Sequence, residues 1–420
     1  MSNLLNRLIP NFFYFNQELH MEKVKVQEIA EQIGTPFYLY SLAQIQKNYQ
    51  EYNSAFAGYP HLICYALKAN SNLRVGKILA GQGAGVDIVS GGELYRALKS
   101  GFPARKIVYA GVGKTKEEIE FALKENILMF NVESLGELEI IANIAREMNC
   151  SAPVAIRVNP GIDPHTHKYT TTGKKENKFG IPLQQIIPAY EKARKFKNLK
   201  ILGIHCHIGS QIVTLKPFLD TLRCLLDVIS ELEKRKIYLQ YLNLGGGLGI
   251  RYKDENPPTP RDLAEGYMSL LKGRKYTLIL EPGRYIVGNA GILVTKVLYL
   301  KDTRRKKFII TDAGMTELIR PVLYEAYHEI IPVIEKKRKK IVVDVVGPIC
   351  ESADYFAQDR LLPEVQPGEF LAVMCAGAYG FSMSSTYNSR PRVAEVLVDG
   401  KNWTIIRERE SYADLVHGET

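Results

Sequence analysis

Residues 61–70, HLICYALKAN, join a short apolar run to a single lysine that is followed by small and polar residues. A run of this length is typical of a buried strand that ends at an opening. Lys68 would then lie just past the strand. A desolvated lysine has a lowered pKa, and its neutral amine can attack a carbonyl, so Lys68 is a candidate for forming a Schiff base. The alternative is a solvated lysine at a strand end with no chemical role.

The same apolar pattern recurs along the chain, separated by helix-like patterns. The predicted strands are 61–65, 84–89, 106–110, 127–132, 153–158, 200–206, 239–244 and 276–281. The predicted helices between them are 73–80, 93–99, 116–124, 135–148, 183–195 and 215–234. Alternation of this kind predicts a parallel sheet. Eight strands within about 230 residues fit a closed (β/α)8 barrel of the TIM type better than an open sheet.

The pattern changes past Gly288, where strands follow one another with few helices. These predicted strands are 292–300, 307–311, 341–346, 370–374, 392–398 and 403–407. They indicate a C-terminal antiparallel β domain, a barrel or sandwich. Near the N-terminus, an aromatic strand at 12–15 needs a partner sheet and is expected to join that domain; a helix near 24–33 and a strand at 36–40 follow it. The predicted division is 1–35 joining the β domain, 36–287 for the barrel and 288–420 for the β domain.

Composition excludes several classes of protein. The 420 residues carry a net charge of +10, from 55 Lys and Arg against 45 Asp and Glu, but the charges are mixed, so nucleic-acid binding is not expected. The six cysteines form no CxxC pair, which favours a reduced, cytoplasmic protein. No signal-peptide pattern is present. No apolar stretch approaches the roughly 20 residues of a membrane span, so no membrane partner is expected.

Polar residues cluster where the predicted barrel strands end, which is where chemistry collects in this fold. They are Lys68 after the first strand, Asp87 and Ser90 at the end of the second, Asn131 and Glu133 at the end of the fourth, Arg157 and Asn159 at the end of the fifth, His205 and His207 at the end of the sixth, Gly245, Gly246 and Gly247 at the end of the seventh, and Glu281, Pro282, Gly283 and Arg284 at the end of the eighth. Their convergence on one end of the barrel predicts a functional site there.

The chemistry of this set is coherent. The three glycines allow backbone N–H groups to approach a phosphate, with Ser210 and Arg284 as further donors. His207 offers a flat ring for stacking, and Glu281 could keep a pyridine nitrogen protonated. With Lys68, these features describe a pyridoxal phosphate site.

Structural alternatives stay open at this point. The glycines could form an ordinary turn, and Glu281 could form a buried ion pair with Arg157 or Arg284. A metal site at the two histidines is not expected, because no HExxH or cysteine cluster supplies further ligands.

Several motifs resemble the alanine-racemase-type barrel decarboxylases, which use pyridoxal phosphate. They are YALKAN at 65–70, HCHIGSQ at 205–211, LNLGGGLG at 242–249 and EPGR at 281–284. Longer matching stretches are GVDIVSGGEL at 85–94, RVNPGIDPHTHKY at 157–169, VVGPICESAD at 345–354 and CAGAYGFSMSSTYNSRPR at 375–392. The resemblance covers nearly the whole chain. A slight departure, YAGVGKT at 109–115, replaces a loop that is commonly more polar.

The resemblance implies a role for each matching position. Lys68 would carry the cofactor covalently, and His207 would stack on its ring, supported by Asp87 and His205. The remaining cofactor-binding residues would be Ser210, Gly245, Gly246, Gly247, Glu281, Pro282, Gly283, Arg284 and Tyr379. The substrate-binding residues would be Arg284, Arg320, Tyr324, Glu351 and Tyr379. Cys350 would act with Lys68 and His207 in catalysis, near the reacting carbon, and would reach it from the neighbouring subunit of a homodimer.

The resemblance also implies an activity, the decarboxylation of meso-2,6-diaminopimelate to L-lysine at the last step of bacterial lysine biosynthesis. The alternative is a decarboxylase of the same fold that acts on ornithine, arginine or a polyamine precursor. A racemase of this fold and a cofactor-carrying protein without turnover are further alternatives, although the second β domain argues against the last. The loop at 165–178, rich in Thr, Lys and Gly, is a candidate lid.

Overall fold

The computed structural model describes residues 11–164, 167, 172–173 and 177–420. The chain forms two compact units. The barrel unit contains Tyr49–Gly249 and Asn256–Arg284, and the β unit contains residues 11–48, Ile250–Glu255 and Tyr285–Thr420. Most of the predicted lid at 165–178 lies outside the described residues.

Eight parallel strands close into a ring in the barrel unit, which confirms the predicted barrel. In ring order the strands are His61–Ala66, Gly85–Ile88, Ile107–Tyr109, Met129–Val132, Ala152–Asn159, Leu199–His205, Tyr241–Asn243 and Thr277–Leu280. The last strand pairs with the first, so that Leu278 lies opposite His61. A two-residue strand, Ile181–Pro182, also pairs with Ala152–Asn159. Each ring strand lies within one or two residues of its prediction, because helices cover the sheet and leave its strands as apolar runs.

Helices connect these strands, and several begin at a side-chain cap. The helices are Leu73–Gly81, Gly91–Lys99, Lys116–Lys124, Leu135–Glu147, Ile186–Ala193, Lys216–Lys234 and Pro260–Leu271. Ser90, Thr115 and Ser134 each accept a hydrogen bond from a backbone N–H of the helix that follows. Such caps satisfy donors that the first helical turn leaves unpaired. They fix where each helix leaves the mouth of the barrel.

The β unit is built around the long strand Gly291–Asp302. Its sheet runs in the order Tyr355–Pro363, Lys340–Val346, Lys307–Thr311, Gly291–Asp302, Phe37–Ser41, Ala394–Asp399 and Asn402–Arg407. Phe370–Val373 also pairs with the long strand, and Ile330–Pro332 pairs with Phe370–Val373. Most pairs are antiparallel as predicted, but Phe37–Ser41 runs parallel to Ala394–Asp399, and Lys307–Thr311 runs parallel to Lys340–Val346.

The N-terminal region differs from its prediction in detail. Phe37–Ser41, predicted to lie in the barrel segment 36–287, pairs with Gly291–Asp302 and Ala394–Asp399 in the β unit. All five of its residues are buried, as befits a strand in the interior of a sheet. Phe12–Phe15 instead pairs with Glu18–Met21, in a small antiparallel sheet of its own that includes Val24–Lys25. The other limits of the division into 1–35, 36–287 and 288–420 stay a prediction.

Among the described residues, the β unit has fewer helices than the barrel unit. Val26–Ile33, Arg320–Tyr324 and Tyr412–Leu415 lie within it, whereas Leu42–Ala55 and Arg284–Val287 each include residues of both units. Phe12, Leu19 and Met21 pack in the same apolar core as Val294 and Val396, so the N-terminal sheet belongs to the β unit. Of the helices in the described part of the chain, none is both long enough and apolar enough to cross a membrane.

Candidate active site

Lys68 lies directly after the first barrel strand, in the short helical turn Leu67–Ala69. Its side chain is 34% exposed, and its Nζ donates to Oδ2 of Asp87, which is fully buried. Burial raises the pKa of Asp87 to about 7; the charge of Glu281 adds to this rise, and Lys68 opposes it. The other oxygen, Oδ1, is buried and has no hydrogen-bond partner among the described residues. Lys68 and Asp87, both predicted at this end of the barrel, therefore lie together, and Oδ1 of Asp87 can still accept a hydrogen bond.

Glu281 follows the last barrel strand and is held by three side chains. Its Oε1 accepts from Nδ2 of Asn243 at 2.6 Å and from Nδ2 of Asn131 at 3.3 Å. Its Oε2 lies 3.3 Å from Nε2 of His205. Burial alone would raise the pKa of Glu281, but the neighbouring charges of His205 and Lys68 hold this pKa below its usual value. Glu281 is therefore an ionised carboxylate with a fixed orientation.

His207 lies two residues past the strand that ends at His205. Its Nδ1 accepts a hydrogen bond from the backbone N–H of Gly246 at 3.1 Å. Burial, together with the positive charges of Arg157 and Lys68, lowers the pKa of His207 to about 3. The ring is therefore neutral at pH 7 and carries its proton on Nε2. A neutral, anchored imidazole is suited to stacking on a flat ring.

The glycine loop after the seventh strand comes very close to the end of the eighth. A Cβ atom at Gly246 would lie 2.1 Å from the backbone oxygen of Glu281, so this position accepts only glycine. Gly245 and Gly247 have φ angles of +65° and +113°, in the region that favours glycine. The lack of side chains at these positions therefore lets the loop pack closely against the end of the eighth strand.

Ser210 and Arg284 lie together, as predicted for a phosphate site. Nε and Nη2 of Arg284 donate to Oγ of Ser210 at 3.3 and 3.0 Å. Arg284 is only 6% exposed, so its charge acts in a poorly solvated place. An anion held here would meet a guanidinium and a hydroxyl at once.

Arg157 pairs with Glu133, and both side chains are buried. Nη2 of Arg157 also donates to the backbone oxygen of His207 at 3.3 Å. Oε2 of Glu133 accepts from the N–H of Gly180 at 2.8 Å. The polar residues that end the fourth and fifth strands therefore support the loop that carries His207. Asn159 has a local role, since its Oδ1 accepts from the N–H of Gly161.

The other predicted site residues lie in the β unit. Nη1 of Arg320 lies 2.7 Å from Nε2 of His328, and the guanidinium stacks 4.7 Å from the ring centre of Tyr252. Nδ1 of His328 lies 2.7 Å from the backbone oxygen of Met374 and must be protonated to bond it, so Nε2 accepts from Arg320. This arrangement fixes the direction of the guanidinium.

Cys350 and Glu351 are both exposed. The N–H of Cys350 donates to Oδ1 of Asn388 at 2.8 Å, and the hydroxyl of Tyr387 donates to Glu351 at 2.5 Å. Tyr324 ends the helix Arg320–Tyr324 and is half-buried, as is Tyr379, whose φ is +56°. All six cysteines, including Cys350, are free thiols.

Sequence reasoning missed the role of Asn243 and the contact between Asn131 and Glu281. Asn243 lies just before the three glycines, and a buried amide at a strand end is a signal that could have drawn attention to it. The sequence gives no comparable signal for His328, the partner of Arg320, because no motif or regular spacing links these two positions.

The residues of the barrel mouth fit pyridoxal phosphate. Lys68 supplies an amine, Ser210 and Arg284 supply donors for a phosphate, and Glu281 supplies an ionised partner for a ring nitrogen. The described residues contain no group of three or more His, Cys, Asp or Glu side chains arranged to hold a metal ion.

Comparison with known proteins leads to the same chemistry. The family model described as "Pyridoxal-dependent decarboxylase, pyridoxal binding domain" matches residues 42–288. The diaminopimelate decarboxylase of Aquifex aeolicus is 51% identical over 414 residues, which cover 98% of both chains. That of Pseudomonas aeruginosa is 49% identical over 98% of this chain and 99% of its own. A crystal structure of diaminopimelate decarboxylase from M. jannaschii in complex with L-lysine superposes with a TM-score of 0.93 at 42% identity, covering 98% of this chain and 99% of that one. The chain therefore belongs to the diaminopimelate decarboxylase family of pyridoxal-dependent decarboxylases.

Proposed function

We propose that this protein decarboxylates meso-2,6-diaminopimelate to L-lysine with pyridoxal phosphate as its cofactor. The observation that carries the proposal is the pairing of two features in one barrel mouth. Lys68 offers an amine at the end of the first strand, and Glu281 is kept ionised at the end of the eighth. Relatives about half identical over nearly their whole length bear the name of this activity.

Lys68 would hold the cofactor covalently, and Asp87 would orient the amine through its hydrogen bond to Nζ. When bound, pyridoxal phosphate draws the electron pair of the broken carbon–carboxylate bond into its protonated ring. Glu281 would keep the ring nitrogen protonated, because an ionised carboxylate stabilises the positive charge beside it. His207 would cover one face of the ring, and Ser210, Arg284 and the glycine loop would bind the phosphate.

A proton must then be delivered to the former α-carbon. Two groups are proposed as donors, Cys350 through its Sγ and Lys68 through its Nζ. Lys68 lies in the barrel mouth. Cys350 is exposed in the single chain, so a neighbouring subunit could receive it. We propose a homodimer in which Cys350 and Glu351 complete the site of the partner chain.

The substrate differs from ornithine in having one more methylene group and a second carboxylate at its distal end. Arg320 could bind that carboxylate through a bidentate pair, and its guanidinium is already oriented by His328 and Tyr252. Glu351 would bind the distal ammonium, with Tyr324 and Tyr379 beside the substrate. A decarboxylase for ornithine would need the acidic partner but no arginine.

Carbon dioxide release tests this assignment. The holoenzyme should release carbon dioxide from meso-diaminopimelate and yield L-lysine, with far slower release from L-ornithine and L-arginine. Arg320→Ala should raise the KM for diaminopimelate strongly, because the distal carboxylate loses its charged partner. Faster release from ornithine or arginine than from diaminopimelate would favour the alternative decarboxylase. Loss of the optical activity of L-ornithine or L-arginine without carbon dioxide release would indicate a racemase.

A further inference from the structure

Two buried carboxylates, Asp87 and Glu281, lie in the barrel mouth, and their hydrogen bonds differ. Asp87 is bonded through one oxygen to Lys68, and its other oxygen has no partner among the described residues. Glu281 is bonded through both oxygens, to two amides and one imidazole. Two carboxylates in one poorly solvated place compete for a proton, and hydrogen bonds to the ionised form, together with nearby cations, influence which group stays charged. The donors around Glu281 are therefore candidates for a functional role.

Asn243 is the closest of these donors and is fully buried. Its Oδ1 accepts from the N–H of Gly245 at 3.0 Å, while its Nδ2 donates to Oε1 of Glu281 at 2.6 Å. Because a backbone N–H can only donate, the carbonyl side of the amide must face Gly245 and the NH₂ side must face Glu281. The orientation of this amide is therefore set by its surroundings.

A third hydrogen bond closes the arrangement. The N–H of Glu281 donates to the backbone oxygen of Gly245 at 2.8 Å. Asn243, Gly245 and Glu281 thus form a ring of three hydrogen bonds that joins the ends of the seventh and eighth strands. A substitution of Asn243 would therefore affect both the carboxylate of Glu281 and the glycine loop.

We propose that Asn243 is a positioning residue that keeps Glu281 ionised and in a fixed orientation, with Asn131 as the second donor to Oε1 of Glu281. The proposal rests on the proposed function, in which Glu281 faces the ring nitrogen of the cofactor. Both amides bind Oε1, so they restrain the carboxylate while Oε2 stays on the side of His205. Neutral donors suit this task, since they stabilise the negative charge without cancelling it.

The test begins with the apoprotein and needs neither cofactor nor substrate. Asn243→Leu keeps a similar shape and removes both hydrogen bonds of the amide. Difference infrared spectroscopy over a pH titration would follow the C=O band of the protonated carboxyl group, which Glu281→Gln assigns by its disappearance. The pKa of Glu281 should be higher in Asn243→Leu than in the wild type, because a buried carboxylate loses its shortest hydrogen bond.

The loaded enzyme gives a second readout. A hydrogen bond to a charged group is worth enough to lower kcat by about 10- to 100-fold when it is lost, with a smaller change in KM. The visible absorbance of the bound cofactor should also become pH-dependent in a range where the wild type is constant. Asn72→Ala is the matched control, since Asn72 is also a buried asparagine but caps the helix Leu73–Gly81. It should lower thermal stability and leave the titration of Glu281 unchanged.

Asn131→Leu keeps the test decisive if Asn243→Leu does not fold. It removes the longer bond of 3.3 Å and leaves the contact to Gly245, so the pKa of Glu281 should rise by less. An unchanged titration of Glu281 in a folded Asn243→Leu or Asn131→Leu variant would overturn the proposal. Failure of the wild type to decarboxylate diaminopimelate would instead contradict the proposed function, and the two failures are thus distinguishable.

Discussion

At the scale of single residues, the site depends on which acid is charged. Asp87 and Glu281 end strands of the same barrel, and both are buried. Burial dominates at Asp87 and raises its pKa to about 7, whereas the cations near Glu281 outweigh burial and lower its pKa. Residues of the same chemical class thus acquire different roles from their surroundings.

The raised pKa of Asp87 makes a prediction about stability. Between pH 3.8 and about 7 the native carboxyl group keeps its proton while the unfolded one has lost it. The native state then binds more protons, so the free energy of unfolding falls as the pH rises through this range. Asp87→Asn lacks this dependence, and the stability of the variant relative to the wild type should increase from pH 4 to pH 7. Denaturant unfolding of both apoproteins across this range measures the difference in their free energies of unfolding. Parallel pH profiles would contradict the prediction.

Charged residues of the site could be predicted from the sequence, whereas Asn243 could not. Lys68 and Glu281 interrupt apolar runs, and the free-energy cost of burying a charge marks them as functional candidates. Asn243 is uncharged, and its importance follows from two hydrogen bonds. One is to Glu281, which is distant in sequence, and the other is to the backbone N–H of Gly245. Such contacts exist only once the seventh and eighth strands are neighbours.

At the scale of elements, the glycine loop is the most constrained part of the barrel mouth. Gly246→Ala would place a methyl group 2.1 Å from the backbone oxygen of Glu281. The loop must move away from the eighth strand, and overpacking of this kind typically costs about 1–3 kcal/mol. We expect lower thermal stability and at least tenfold weaker binding of pyridoxal phosphate, measured by fluorescence titration of the apoprotein.

The control for that substitution is Gly136→Ala. Gly136 lies in the helix Leu135–Glu147, and a Cβ there would have no neighbour within 4 Å. Alanine has the higher helix propensity, by up to about 1 kcal/mol, so this variant should be as stable as the wild type or more so. Equal cofactor binding by both variants would show that the close approach at Gly246 has no role in binding.

Elements with an uninterrupted pattern were predicted well, and the exceptions have physical causes. Tyr355–Pro363 was missed because Gln358, Asp359 and Arg360 break its apolar pattern, and Asp359 adopts a φ of +47° within the strand. Pro260–Leu271 was missed although Thr259 and Asp262 form a capping box at its start, a signal that the sequence does contain. The pairing of Phe37–Ser41 with Gly291–Asp302 could not be predicted from the local sequence, because the paired residues are far apart in the chain.

At the scale of the whole molecule, the proposed dimer makes the site a property of two chains. Lys68→Ala should be inactive because the cofactor is not held, and Glu351→Ala should be nearly inactive because the distal ammonium is not bound. If each site takes Lys68 from one chain and Glu351 from the other, a mixed dimer has one intact site. Mixing the two variants should then restore about a quarter of wild-type activity after subunit exchange.

Subunit exchange can be followed independently by tagging one variant and isolating the mixed dimer. A mixed dimer without activity would mean that both residues act within the same chain. A monomeric, fully active enzyme in sedimentation velocity would remove the need for a partner altogether.

The most direct measurement concerns the amine from which the proposed chemistry starts. The holoenzyme is treated with borohydride, which would fix pyridoxal phosphate to the lysine that carries it, and is then digested for mass spectrometry. The reduced cofactor should be found on the peptide that contains Lys68, and Lys68→Ala should lose both this adduct and the visible absorbance. A cofactor attached to another lysine, or full carbon dioxide release by Lys68→Ala, would contradict the proposed mechanism.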